Sequence, residues 1–341
     1  MRSVVTHLAM VSGTVATPRV RGRPWRSRSA GPFSPVGRGI LVAVLVSLVC
    51  ATGCSGTSGT SAPPTGSSRG TAAGSAPATT PGSRTAAPVG SGFLAVGDFG
   101  TVDDTQRDVA RAMTDWTAVP GHRVDALVTT GDNVYPDGAP ARFRGALDEP
   151  YAGLRRSAPM WATLGNHDVV AAHGRTELRH LGLPSLPYRK RLPGAELLFL
   201  DANRVDRAQA DWLQARLAAP GPPFRVVVFH QPAWSCSVHG STAAVDRLWV
   251  PIFERYRVAL VLNGHDHNYQ RYTSRRDVTY IVTGGGGAAL YPVRSDCRET
   301  PARAAAARRH HFTAVQIAGD SMTVTAVAAG GAVLDRTVIH R

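Results

Sequence analysis

The side chains best equipped for chemistry in this sequence are Asp98, Asp132, Tyr135, Asn166, His230, His265 and His267. They fall in five short turns: Gly97-Asp98-Phe99-Gly100, Gly131-Asp132-Asn133-Val134-Tyr135, Gly165-Asn166-His167-Asp168, Phe229-His230 and Gly264-His265-Asp266-His267. Two carboxylates, a carboxamide, three imidazoles and a phenol make an oxygen and nitrogen donor set without thiolate. Such a set suits Fe, Mn, Zn or similar ions rather than Cys-rich structural zinc.

An apolar run precedes each turn. Gly92–Val96, Val124–Thr130, Pro159–Leu164, Phe224–Phe229 and Val258–Leu262 read as buried strands. Leu197–Leu200 is a further strand, before Asp201. Helices are expected over Asp104–Thr117, with Val109, Ala110, Met113 and Trp116 at helical spacing, and over Asp206–Ala218. Val278–Val282 is another strand, and Thr313–Ala318, Met322–Ala326 and Val333–Ile339 look like closing antiparallel strands. The run Ala302–Arg309 reads as a solvated helix or loop. Residues 91–341 therefore suit one α/β domain. In open α/β sheets ligands collect beyond the carboxyl ends of the strands, so the five turns should meet at one edge.

In order and spacing, the five turns resemble the five-block signature of purple acid phosphatases, within the calcineurin-like metallophosphoesterases. The resemblance implies a metallophosphoesterase-type β-sandwich flanked by helices, with metal ligands on loops at the carboxyl ends of strands. It implies two metal ions, Asp98, Asp132, Tyr135 and His267 holding the first. Asp132 would bridge to the second, which Asn166, His230 and His265 complete. A water bound to such ions loses its proton near neutral pH and attacks a phosphate ester. His167 is placed by its motif to stabilise the transition state or protonate the leaving oxygen. His239 follows His230 by nine residues, where plant-type purple acid phosphatases carry a substrate-contacting His. Asp168 and Asp266 are expected to orient ligands. Position 100 is Gly, where many calcineurin-like enzymes have a metal-binding His. Tyr135 takes that role in the purple acid phosphatase pattern, which favours Fe(III) paired with Fe, Zn or Mn(II).

The remaining features bound the cellular setting. Residues 1–53 join a basic region to the apolar stretch 39–53, the order of a bacterial export signal. Ala51-Thr52-Gly53-Cys54 resembles a lipobox, which implies a lipid on Cys54 and membrane anchorage. Apart from Cys54 and Val89, residues 54–90 are Ser, Thr, Gly, Ala and Pro with two arginines, the composition of a flexible linker. The net charge of +14 is concentrated in residues 1–90, which hold nine arginines and no acid. From 91 to 341 there are 29 basic and 24 acidic residues, a balance that does not indicate a nucleic-acid binder. Cys236 and Cys297 could pair in an oxidising compartment or remain free thiols. Gly284–Gly287 lacks the Lys-Ser or Lys-Thr of a P-loop, though its backbone could approach phosphate. The expected activity is hydrolysis of phosphate monoesters outside the cytoplasm. A phosphodiesterase or phospholipid-cleaving enzyme on the same core, and a silent binding lipoprotein, are the alternatives.

Overall fold

The apolar runs form strands that alternate their side chains between two cores. A computed structural model describes residues 90–274, 276–297 and 301–341. The basic region and signal at 1–53, the lipidation position Cys54 and the linker to residue 89 lie outside the described residues. The chain enters a first sheet through β1 (Ser91–Val96), β2 (Ala126–Thr129) and β3 (Met160–Ala162). It builds a second sheet with β4 (Tyr188–Leu192), β5 (Ala195–Phe199), β6 (Phe224–Val228) and β7 (Leu260–Asn263). That sheet continues through β8 (Tyr269–Thr273), β9 (Thr279–Thr283) and β10 (Arg303–Ala307). The chain then returns to finish the first with β11 (His311–Ala318), β12 (Ser321–Ala328) and β13 (Val333–His340).

The first sheet runs β13-β12-β11-β1-β2-β3 and the second β10-β8-β9-β7-β6-β5-β4. β1, β2 and β3 are mutually parallel neighbours, as are β5, β6, β7 and β9. Both sheets therefore send several carboxyl ends the same way. Phe93 and Ala95 face the layer between the sheets with Leu197, Phe199, Val226, Val228, Leu260 and Leu262. Their chain neighbours Leu94 and Val96 face outward, onto Val109 and Met113 of α1 (Asp104–Thr117). Leu198, Val227 and Val261 likewise face the helical layer that includes Leu213, Trp249 and Phe253. This period-two division gives a β-sandwich flanked by helices, as expected from the sequence.

The helix starts follow capping chemistry. Asp103 accepts from the Gln106 amide at 3.0 Å ahead of α1, and Asp206 accepts from the Gln209 amide at 2.9 Å ahead of a second long helix, Arg207–Ala218. The run Ala302–Arg309 corrects the sequence reading: Arg303–Ala307 is a strand, not a helix or solvated loop. Its alanines favour helix, but antiparallel pairing with β8 supplies the backbone partners and overrides that local preference. Cys236 and Cys297 form a disulfide, their Cα atoms 5.5 Å apart. No helix of the described residues is long and apolar enough to cross a membrane.

Candidate metal centre

Asp98 follows β1, Asp132 follows β2, Asn166 follows β3, His230 follows β6 and His265 follows β7. The turns are tight because glycine lets neighbouring backbones touch the ligands. A Cβ on Gly165 would lie 2.1 Å from Asp132 Oδ1, and one on Gly264 would lie 2.3 Å from Asp98 Oδ2. Three of the polar residues themselves adopt left-handed backbone: Asp98 at φ 56°, Asp132 at φ 51° and His265 at φ 72°. Such conformations cost roughly 1–2 kcal/mol each for residues with a Cβ.

The ligand atoms of Asp98, Asp132 and His230 all lie within 4.8 Å of one another, and all three residues are buried. His230 Nε2 is 3.4 Å from Asp132 Oδ2 and 4.0 Å from Asp98 Oδ1. His267 Nε2 is 3.4 Å from Asp98 Oδ1. The Tyr135 hydroxyl lies 3.0 Å from Asp132 Oδ2 and 3.1 Å from His267 Nε2. His265 Nδ1 lies 3.2 Å from His230 Nε2. Asn166 sits beside this group, because the next amide, that of His167, donates to Asp132 Oδ1 at 2.9 Å. Six of the seven residues are thus joined by direct side-chain approaches, and the seventh by its neighbour.

Backbone carbonyls fix which nitrogen faces the cluster. His230 Nδ1–H donates to Thr130 O at 2.8 Å, and His267 Nδ1–H donates to Ala289 O at 2.8 Å. In each ring Nε2 is the nitrogen that faces the centre, the arrangement by which metal-binding imidazoles are oriented. Asn166 Oδ1 is buried without a hydrogen-bond partner. An orphaned carboxamide oxygen is unfavourable by about 1–3 kcal/mol unless something accepts its lone pairs. Together with the mixed donor set, that oxygen fits the residues to metal ions.

The electrostatics lead to the same place. Burial works against protonation of His230, but Asp132 and Asp98 outweigh it and lift the imidazole to about 10. Burial would raise Asp132, yet the adjacent His230 holds its carboxyl well below the usual range. Complete burial raises Asp98 despite His230 and His267. His265 is pushed down to about 3 by burial and by His230, so it stays neutral. Burial, then Asp98 and Asp132, drive the Tyr135 phenol far above its usual range. Without a metal cation, a proton on His230 offsets carboxylate charge and Tyr135 keeps its own proton as a neutral phenol. A metal ion displaces those protons, so binding releases them and strengthens as pH rises.

Asp168 and Asp266 orient the turns, as expected. Asp168 accepts from the amides of Asn133 at 2.8 Å, Val134 at 3.0 Å and Gly165 at 2.8 Å, and from Asn133 Nδ2 at 3.1 Å. Asp266 accepts from Ser235 Oγ and from the amides of His239 at 3.0 Å and Gly240 at 3.3 Å. Glu177 was not singled out by sequence, yet it is fully buried and accepts from Asn133 Nδ2 at 2.8 Å. Burial, then Asp168, raises its carboxyl well above the usual range, which favours the neutral form. Glu177→Gln, which keeps shape and neutrality, should leave urea stability nearly unchanged. Glu177→Ala should cost about 2 kcal/mol in the same measurement. Equal losses in the two variants would mean that the carboxyl is ionised.

His167 Nδ1–H donates to Pro136 O at 2.6 Å, and its ring lies 4.5 Å from that of Tyr135. The His239 ring stacks on His265 at 4.1 Å. Both therefore border the cluster. Gly284–Gly287 instead packs behind it: Gly286 N bonds Gly97 O at 2.9 Å, and a Cβ on Gly284 would lie 2.8 Å from Asp98 Oδ2. Tyr291 escaped the sequence reading because no motif surrounds it. Its ring stacks on His267 at 4.0 Å.

The family model described as "Calcineurin-like phosphoesterase" matches residues 92–269. Tartrate-resistant acid phosphatase type 5 of Mus musculus is 28% identical over 298 residues, covering 73% of this chain and 90% of that protein. Purple acid phosphatase 4 of Arabidopsis thaliana is 29% identical over 235 residues, covering 58% of this chain and 68% of that protein. Among solved structures, purple acid phosphatase PPD1 from yellow lupin seeds superposes with a TM-score of 0.61 at 15% identity, over 74% of this chain and 54% of that one. GAP50 of Plasmodium superposes at 0.63 and 16% identity, over 73% and 88%.

Proposed function

We propose, because the chain belongs to the calcineurin-like phosphoesterase family, that it hydrolyses phosphate monoesters outside the cytoplasm. It is a metal-dependent phosphoesterase with a dinuclear centre. The buried cluster of Asp98, Asp132 and His230 carries that reading. The monoester assignment is supported by the similarity to acid phosphatases over most of the folded region. Export and membrane attachment through Cys54 rest on the order of basic, apolar and small residues at the start of the chain.

Asp98, Asp132, Tyr135 and His267 would hold one ion, and Asp132, Asn166, His230 and His265 the other. Bound there, the ions would supply a hydroxide nucleophile at neutral pH and neutralise charge on the phosphoryl oxygens. The chain's own groups do the rest. Thr130 O and Ala289 O keep His230 and His267 in the tautomer that presents Nε2. Pro136 O holds His167 through Nδ1 and leaves its Nε2 to reach a phosphoryl or leaving-group oxygen. Asp168 ties the turn carrying Asp132 to the turn carrying Asn166 and His167.

Tyr135 decides the metal identity. Its phenol ionises only against a strong cation, since burial and two carboxylates oppose the phenolate. We assign the first position to Fe(III) because Tyr135 stands in its motif where the purple acid phosphatase pattern has the iron-binding phenolate, with Gly at position 100. The test is metal analysis, visible absorption and hydrolysis of a monoester and a diester by the purified protein. Two ions per chain, a visible phenolate-to-iron band abolished in Tyr135→Phe, and faster monoester turnover are expected. Colourless protein with two Zn or Mn ions would remove the iron assignment alone. Faster diester turnover would overturn the monoester reading, and inactivity on both esters with metal bound would sink the enzyme.

A further inference from the structure

We propose that Asn203 is a positioning residue for the second ion. Its one carboxamide ties the chain segment that carries Asn166 to the segment that carries His230, and so sets how tightly those two residues hold a metal. The proposal rests on the ligand assignment above and adds to it a residue that lies in none of the five turns.

Asn203 lies between β5 and the helix Arg207–Ala218, in a loop that the helix itself pins. Gln209 is buried and bonds Asp201 in both directions, its Oε1 accepting from Asp201 N at 2.8 Å and its Nε2 donating to Asp201 O at 2.9 Å. Asp201 Oδ1 in turn accepts from Asn203 N at 3.0 Å. Thr163 Oγ1 donates to Leu200 O at 2.6 Å, which fixes the approach to the Asn166 turn against the approach to Asn203. The Asn203 side chain is therefore presented from a braced backbone.

Its partners allow one orientation. Asn203 Nδ2 lies 3.1 Å from Leu164 O and 3.3 Å from Gly165 O, and carbonyl oxygens only accept. The amide nitrogen must face them, which turns Oδ1 toward Gln231. There it accepts from Gln231 Nε2 at 3.0 Å, and Gln231 directly follows His230. Gln231 Oε1 is buried with no donor among the described residues, so the bond to Asn203 is the one that holds this side chain.

These contacts favour one ion over the other. The Gly165 carbonyl belongs to the peptide unit that leads into Asn166. Asp168 grips that glycine from the other side, through Gly165 N at 2.8 Å, and ties it to the Asp132 turn. Asn203 supplies the opposite tie, toward His230. Among the described residues its hydrogen bonds reach Asp201, Leu164, Gly165 and Gln231, and none reaches Asp98, Tyr135 or His267, which are assigned to the first ion alone. An open cavity of about 330 Å³, bounded by Leu164, Val169, Asp201 and Arg204, adjoins the turn. The turn therefore has room to shift once the carboxamide is gone. Removing a partner that orients metal ligands typically weakens metal binding about 10- to 100-fold.

The experiment equilibrates the holoenzyme in chelator-buffered Zn(II) and counts bound ions by elemental analysis, for the wild type, Asn203→Ala, Gln231→Ala and the double variant. The Tyr135 phenolate absorption, taken as a difference spectrum against Tyr135→Phe, reports the first ion. Asn203→Ala should raise the free Zn(II) that half-fills the second position about tenfold and leave the phenolate signal unchanged. Gln231→Ala should move it the same way by a smaller factor, because the carbonyl contacts survive, and the double variant should match Asn203→Ala. An unchanged affinity in Asn203→Ala, or equal loss of both ions, overturns the proposal. Full additivity of the two substitutions also overturns it, since they would then act independently. Should Asn203→Ala fail to fold, Gln231→Ala decides alone, by a shift or by none. The ions are counted without turnover, so a wild type that holds two ions and hydrolyses no ester sinks the phosphoesterase reading and not this one. A wild type holding a single ion removes the second position and the proposal with it.

Discussion

Asp132→Ala should release both ions and lower phosphate-ester turnover by roughly three orders of magnitude or more. The reason is position. Asp132 Oδ2 lies 3.4 Å from His230 Nε2 and 3.0 Å from the Tyr135 hydroxyl, so it borders ligands assigned to each ion. Asp132 Oδ1 also accepts from the His167 amide, which places the Asn166 turn. One substitution would thus remove the donor assigned to both ions and loosen the turn beside it. Asn166→Ala gives the contrast, with a comparable loss of turnover but retention of one ion. Elemental analysis of the two purified variants beside their kinetics separates these cases. Near-full activity of Asp132→Ala with two ions bound would show that the bridge lies elsewhere.

The second large effect belongs to a residue outside the assigned ligand set. Asp168→Ala strands three backbone amides at once, those of Asn133, Val134 and Gly165, in a fully buried setting. Breaking a buried network of that kind destabilises by about 3–5 kcal/mol. For a domain of this size that corresponds to a fall in Tm of roughly 10 °C. Thermal unfolding of the metal-free protein is the measurement, since bound ions would mask part of the change by mass action. A fall of only a degree or two would mean that water replaces the carboxylate.

The legible part of this protein was the part dictated by local chain chemistry. A strand followed by glycine and a polar side chain reads the same way in isolation as in the fold, which is why Asp98, Asp132 and His265 could be placed. The caps at Asp103 and Asp206 are equally local. The rest depended on pairing across long stretches of chain. Arg303–Ala307 is a strand only because β8 lies beside it, thirty residues away. Lys190 and its neighbours in β4 carry no apolar run, and pair with β5 at the sheet edge. Glu177 resembles any helical glutamate until Asn133 is brought against it from 44 residues upstream. Tyr291 lies in irregular chain, and only the position of His267 gives it a neighbour to stack on.

The left-handed backbone at Asp98, Asp132 and His265 leaves a historical mark. At φ 72°, position 265 is a place where the backbone by itself favours glycine over histidine, by roughly 1 kcal/mol after allowing for glycine's looser unfolded chain. The imidazole is kept there against that bias, and the donor atom it brings to the cluster gives a reason to keep it. A gene copy relieved of the need to hydrolyse anything would gain stability by drifting to glycine at 265, long before its core residues changed. In any descendant of this sequence, the residue at that one position records whether hydrolysis is still under selection.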